Sequence, residues 1–529
     1  MPIAPVLSQR QQNRKQIAQI QTASLPSPVG GLNARDSLAA MPETDAIILD
    51  NWFCTPSDVE LRNGYVKNST GLPGWVESIL PYSGLNTTRK LFAASVHGIY
   101  DCTSTGAVGA AVVSGLTNAR FQWVNFATAG STFLYGVNGA DNPVLYNGTA
   151  WQQVGNGTSP IAITGVDPST FIHVNAWQQR LYFTQNNSTK IWYLPAASVG
   201  GVANSFDFGP LFTLGGYLMG MCTWTIDTAQ GLTEFAVFVS SEGEVLVYSG
   251  FDPTVTSTFF LVGRFRMGRP VGRRFYCKNG SDIIIIGADG AIPLSSAINS
   301  DRAKTNIAIS DKIRNLINND VQSYSQNFGW QCVLYPIGNK LIINVPVIEN
   351  NIQYQYVMNT ITGSWSTFGK MNSPWSAACF EFWEDGLYFG GNGYVAQCDT
   401  GQTDNNTDIQ TTGKQAFSYF GVKGQQKYFT MVRPLLIVNG TLHAAIDLNV
   451  NFEDKPPAST PTFAAGGGSP WNTSPWNTSP WTSGNNIIED WDTPNAVGFC
   501  AALYMNVTAA NLGVSWQATD FVFQVGGVL

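Results

Sequence analysis

This chain predicts an all-β fold: a β-propeller of about six blades, with an additional sandwich-like or barrel-like β module formed by the C-terminal portion. Three observations lead there. Between about residues 91 and 398 one local design recurs, a short aromatic-rich strand, a Gly/Asn/Asp turn and a second strand running back. Thr132-Phe133-Leu134-Tyr135-Gly136-Val137 precedes Val144-Leu145-Tyr146, Arg180-Leu181-Tyr182-Phe183 precedes Ile191-Trp192-Tyr193-Leu194, and Phe235-Ala236-Val237-Phe238-Val239 turns through Glu242-Gly243-Glu244 into Val245-Leu246-Val247-Tyr248. Such pairs, in units of about 40 to 50 residues, read as propeller blades. Around residues 403–412 the sequence turns polar and loses strand character, and beyond it a different set of alternating strands begins. At 529 residues the chain has room for more than one core.

In chain order, residues 1–28 form an N-terminal arm, polar and Gln-rich with Arg10, Arg14 and Lys15, ending at Pro26 and Pro28. No apolar stretch of the kind a secretory signal needs lies in it. Residues 29–85 are a connector whose Asp50-Asn51-Trp52-Phe53 and Val59-Glu60-Leu61 read as a strand pair. The propeller spans 86–402 and carries a helical insertion near 310–322. There Ile313, Leu316, Ile317 and Val321 fall on one helical face, Ser310 is placed to cap, and Asp311 suits the first turn. This helix is expected on the outside of a blade. A linker over 403–414 leads to the C-terminal module, 415–529. Its Asn439-Gly440 dipeptide predicts a hairpin between Leu435-Leu436-Ile437-Val438 and Ala445-Ile446-Asp447-Leu448. Residues 469–481 repeat Ser-Pro-Trp, placing Trp471, Trp476 and Trp481 five residues apart. An odd period puts successive tryptophans on opposite faces of a strand, and proline prevents steady ladder pairing. Leaving three such rings in water is unfavourable, so this loop is expected to dock on a neighbouring subunit.

Composition points the same way. Charged residues make up 12% of the chain, about half the usual 25%, while 44% is hydrophobic and 12% aromatic. A surface this poor in charge suits burial against other subunits, where unpaired charge is costly to desolvate. A net charge of −7 argues against a protein that grips duplex DNA through many phosphate contacts. The eight cysteines are scattered without a CxxC pair and are expected as buried thiols. The longest apolar runs, such as Ile283-Ile284-Ile285-Ile286, have strand length rather than the roughly 18 residues of a membrane helix.

Chemistry is sparse. His97, His173 and His443 have no carboxylate or cysteine at ligand spacing, so neither a metal nor a cofactor is expected, and no GxSxG elbow or phosphate-cradling loop occurs. No catalytic residue is assigned. Three acidic groups could serve a glycosidase: Glu242 with Glu244, Glu381 with Glu384 and Asp385, and Glu489 with Asp490 and Asp492. All lie at or beside turns, where solvated acids are ordinary. One basic cluster stands out, Arg264, Arg266, Arg269, Arg273, Arg274 and Lys278, readable as a solvated face, an intersubunit clamp on carboxylates, or a contact to DNA phosphate.

A resemblance joins these pieces. Gly30-Gly31-Leu32-Asn33-Ala34-Arg35-Asp36-Ser37-Leu38, Met41-Pro42, Asp45-Ala46, Asp50-Asn51-Trp52-Phe53 and Arg62-Asn63-Gly64-Tyr65 resemble the opening of tail nozzle proteins of short-tailed bacteriophages, also called tail hub or packaged-DNA stabilisation proteins. Lys427-Tyr428-Phe429-Thr430-Met431-Val432-Arg433-Pro434, the Trp-repeat loop and the closing Trp516 to Leu529 are similar to that family's C-terminal portion. The resemblance implies a structural protein of the virion's short tail, not an enzyme. It implies a homohexameric ring that extends the DNA channel below the portal and adaptor (collar) proteins, retains and then releases the genome, and docks fibres or spikes. Residues 29–85 and the C-terminal module would build the ring wall. Genomic double-stranded DNA would pass without sequence-specific binding, and an acidic wall would let it leave quickly. A propeller glycosidase, or a glycan-binding receptor-recognition protein of a phage tail, is the alternative.

Overall fold

In the computed structural model the chain is described over residues 20–85, 89–155, 161–228, 231–255, 257–298, 308–373, 375–440, 442–458, 462–463, 486–488 and 490–526. It is 55% strand and 5% helix, an all-β protein with a propeller-like arrangement and a curled half-barrel sheet. The hairpins legible in the sequence form: Leu134 pairs with Tyr146, Phe183 with Trp192, and Val237 with Val247. Aromatic and branched side chains alternate across these pleats and fill cores shared by successive sheets. Tyr135 and Phe183 meet between one pair of sheets, and Phe208, Phe238 and Tyr248 between the next.

One strand closes the circle. Tyr65–Ser83 pairs through Tyr65 to Trp75 with the last sheet's Asn392–Cys398, then through Val76 to Ser83 with Arg89–Ser95 of the first. The ends of the repeat array are therefore held by backbone hydrogen bonds rather than by side-chain packing alone. The helix appears as Arg314–Tyr324 behind a 3-10 turn, Asp311–Ile313, with Ile313, Ile317 and Val321 buried. Ser310 makes no side-chain cap; its buried hydroxyl accepts the Ala291 N–H at 2.9 Å. The helix also does not sit on the outside of the propeller. Val321, Gln322 and the following Ser325 to Phe328 face a recess shared with Arg120 and Arg273.

The second body is a sandwich made from both ends of the chain. Lys427–Val438 and Val514–Val525 pair along their whole length, and Ile20–Pro26 adds to the far edge of Val514–Val525. So the C-terminal part of the expected arm is a strand, while residues 1–19 lie outside the described residues. Opposite stands a sheet of Asp45–Asp50, Ile409–Gln415, Ala501–Ala509 and Leu442–Val450. Trp52, Phe429, Leu436, Leu503, Met505, Trp516 and Phe521 pack between the two.

Two expectations change here. The stretch 403–414 is not simply a linker, because Ile409–Gln415 is an internal strand with buried, bonded polar side chains at its end: Lys414 Nζ donates to Glu453 O, and Gln415 Nε2 to Pro26 O. Asn439-Gly440 does not close a hairpin, because Lys427–Val438 and Leu442–Val450 belong to opposite sheets. The connector likewise divides, its strands up to Leu61 joining the sandwich and Tyr65–Ser83 joining the propeller.

The two bodies are continuous. Asp50 pairs in parallel with Thr367, so the sandwich sheet runs on into Trp365–Phe368, Ile352–Asn359, Lys340–Ile348 and Gln331–Tyr335 as one ten-stranded sheet. Arg62 is buried at this join. Its guanidinium forks onto Asp404 at 2.7 and 2.8 Å, and its Nε donates to Asn51 Oδ1 at 2.8 Å.

Candidate functional site

The six cationic residues that neighbour one another in sequence separate in space. Phe259–Arg266 is the outermost strand of its sheet, so Arg264 and Arg266 lie at the rim. Arg264 donates to Leu211 O and Thr213 Oγ1 and lies 3.8 Å from Glu244. Arg269 is exposed and pairs with Glu242 at 2.7 Å. Gly272, at φ +70, then turns the chain inward; a Cβ there would stand 2.6 Å from that of Trp330. Arg273 and Arg274 consequently point across the propeller. Arg273 Nη1 donates to Asn138 O at 3.1 Å, and Arg274 Nη2 donates to Glu77 O, Ser78 Oγ and Phe121 O at 2.7 to 3.1 Å. One segment thus ties together carbonyls of sheets far away in sequence.

These arginines lie between two recesses. The upper one, about 570 Å³, is lined by Arg120, Arg269, Arg273, Glu242, Tyr217 and the end of the helix. Arg120 is balanced there by Glu77 at 3.3 Å and Glu349 at 2.5 Å, and its guanidinium lies 4.6 Å from the Phe328 ring. The lower recess, about 410 Å³, is lined by Gln122, Trp123, His173, Arg273, Arg274, Lys278 and Glu381. Burial holds the His173 imidazole down at about 4, so it is neutral near pH 7. Burial likewise pushes the Glu381 carboxyl up to about 7, opposed by the Phe382 N–H and the Arg274 charge. Loss of hydration and the nearby Arg120 and Arg274 lower the Arg273 pKa.

The acids grouped in the sequence do not converge. Each recess has a single carboxyl among its described lining residues, Glu242 above and Glu381 below. Glu384 and Asp385 occupy the two positive-φ positions of the tight turn between Trp383 and Gly386, and Glu244 is engaged by Thr213 and Leu214. His97 Nδ1 lies 2.8 Å from Leu116 O. No cluster of three metal-ligating side chains occurs among the described residues. Arg120 was not singled out by motif, and Arg62 and Glu381, named in the sequence, were not assigned these ion-pair and recess roles. In a chain so poor in charge, the lone acid in Cys379-Phe380-Glu381-Phe382-Trp383 was the available signal for the lower recess.

A second surface lies on the sandwich. Along Lys427–Val438 the side chains alternate, Phe429, Val432, Leu436 and Val438 inward and Tyr428, Met431, Leu435 and Ile437 outward, with the bulge at Thr430 resetting the phase. Ile20, Gln524, Tyr428 and Val497 form one row across this outer face, with Ile487 beside Ile437. Tyr428 is 39% exposed, Val497 48% and Ile487 60%. Trp491 covers Arg433, which pairs with Asp520 at 2.9 Å. Trp471, Trp476 and Trp481 lie outside the described residues.

No family model matches the chain, and no curated protein matches it. Similar solved structures include BBS1N in complex with ARL6DN (9% identity, 65% of this chain and 99% of that one, TM-score 0.38). YCF48 bound to D1 peptide shares 11% identity over 68% of this chain and 99% of that one, TM-score 0.36. The Neurospora crassa Pan2 WD40 domain shares 9% over 72% and 96%, TM-score 0.25. At such identities and scores nothing of function transfers.

Proposed function

We propose that the chain is a structural ring subunit, the tail nozzle of a short-tailed bacteriophage, with no turnover of its own. The observation that carries this reading is the outer face of the sandwich. An antiparallel sheet facing water ordinarily alternates apolar inward with polar outward. Here the outward set of Lys427–Val438 includes Tyr428, Met431, Leu435 and Ile437, next to Ile487 and Val497, beside Thr430, Gln524 and the Arg433–Asp520 ion pair. Exposed apolar side chains gathered on one sheet face support a protein contact. In this reading the sandwich builds the ring wall and the propeller, joined to it through the ten-stranded sheet, stands outside as the docking platform for fibres or spikes.

The propeller is read as seven blades, one more than the six expected. They open at the distal half of Tyr65–Ser83, at Gln122–Ala127, Phe171–Trp177, Leu218–Thr228, Tyr276–Asn279, Gln331–Tyr335 and Cys379–Trp383. With Arg273 and Arg274 across its axis, a single propeller leaves no route for a duplex. The DNA channel of this reading therefore runs between subunits. Electron microscopy of the source particle, or of the chain mixed with its collar proteins, tests the proposal. A hexameric ring with a central channel is expected; a chain that never joins a ring overturns it.

A further inference from the structure

We propose that the lower recess of the propeller axis binds a small oxyanion of the size of inorganic phosphate, held by Arg273 and Arg274. The inference is independent of ring assembly and concerns the propeller alone.

Unmet hydrogen bonding is the first support. Gln122 Nε2, His173 Nδ1 and Arg274 Nη1 are all buried with no hydrogen-bond partner, and all three residues line this one recess. A buried nitrogen left unpaired costs about 1–3 kcal/mol, more when charged. Three such atoms, in residues that line one recess, mark a place where a hydrogen-bonding partner fits. Gln122 and Arg274 carry N–H groups there, and an oxyanion has only acceptors to offer, so it complements them directly.

Charge is the second. Arg273 and Arg274 have no carboxylate hydrogen-bonded to them among the described residues; carbonyls and one hydroxyl take their bonds. Two adjacent guanidinium groups at the centre of a ring repel each other, and carbonyl oxygens solvate them without cancelling their charge. Lys278 adds a third cation at the exposed end of the same recess, against the single carboxyl of Glu381. The excess is positive, in a chain whose net charge is −7. Guanidinium forks match the spacing of oxyanion oxygens.

The backbone is the third. Gly139, at φ +77, lies under Arg273, where a Cβ would stand 3.5 Å from Nη1 and 2.7 Å from the Ile172 side chain. Gly272 makes the turn that sends both arginines inward. Both glycines occupy positions that admit no other residue cheaply, and Gly272 serves the placement of these cations.

Isothermal titration of the full-length chain with sodium phosphate, in chloride buffer of matched ionic strength, tests the site. A saturable single-site isotherm is expected, and sodium acetate in a parallel titration tells whether planar carboxylates share the site. Lys278→Gln, at the exposed end, should weaken phosphate binding by about threefold or more, whereas Glu381→Gln should tighten it. Arg273→Met should abolish it, and if that variant fails to fold the two peripheral variants decide. Saturable binding of phosphate or acetate that responds to these charges supports the proposal. No saturable heat with either anion, or isotherms unchanged in Lys278→Gln and Glu381→Gln, overturns it.

Discussion

Replacing Arg62 by methionine should cost this protein about 3–5 kcal/mol, the range for stripping one partner from a buried ion pair. The magnitude follows from what is left behind. Arg62 is fully buried and Asp404 is 7% exposed. Their fork closes at 2.8 and 2.7 Å, Nε donates to Asn51 Oδ1, and two further bonds reach Asn63 O and Ser373 O. The guanidinium also lies 5.1 Å from the Trp375 ring. Methionine keeps the stem and removes every donor, leaving Asp404 a buried anion without its cation. Arg62→Lys keeps the charge but not the fork, and falls between the two. Combining Arg62→Met with Asp404→Leu should recover most of the loss, since replacing a whole buried pair by apolar groups is often neutral. Urea unfolding followed by tryptophan fluorescence reads these differences. If Arg62→Met loses less than about 1 kcal/mol, or the double variant is no better than the single, the ion pair does not hold the two bodies together.

Other consequences are as direct. Gly31 sits at φ +80 with the Trp365 backbone N and O each 2.6 Å from where a Cβ would stand, so Gly31→Ala should destabilise by about 3 kcal/mol or more in the same assay, and a neutral result refutes the close approach. The folded Glu381 pKa is raised, so between about 4.5 and about 7 the native state holds a proton that the unfolded chain has released. Its contribution to stability is present at the acid end of that window and is lost as pH rises through about 7. The stability difference between the native protein and Glu381→Gln should track that window, and a pH-independent difference refutes the assignment. Tyr428→Asp combined with Ile487→Asp should leave the unfolding midpoint of the isolated chain nearly unchanged, both residues being exposed, while removing ring formation in electron micrographs. Rings formed normally by that variant would remove the sandwich face from the assembly contact.

What the sequence determined by itself was local. Hairpins such as 132–146 and 235–248 were legible because alternation and turn residues are properties of a few neighbouring positions, and the helix at 314–324 because its apolar period is. The helix's place was not: the same apolar face that buries Ile317 and Val321 would suit the outside of a blade as well as the mouth of the axis. Ile409–Gln415 read as a linker because it is polar, and only the partners Glu453 O and Pro26 O, distant in sequence, make those side chains buriable. Asn439-Gly440 carries a strong turn signal, yet a turn dictates a reversal and not which strands lie beside each other. Pairing was decided in the tertiary fold, where Lys427–Val438 takes Val514–Val525 as its neighbour and not the strand that follows it in sequence. The basic cluster shows the same division. Six cations close in sequence look like one patch, but Gly272 turns the backbone between Arg269 and Arg273, sending the later pair into the axis and leaving the earlier ones at the rim. Proximity along a chain constrains where a residue's neighbours are, whereas burial depends on which distant strands supply its hydrogen bonds, and that is settled only when the whole ring and sandwich assemble.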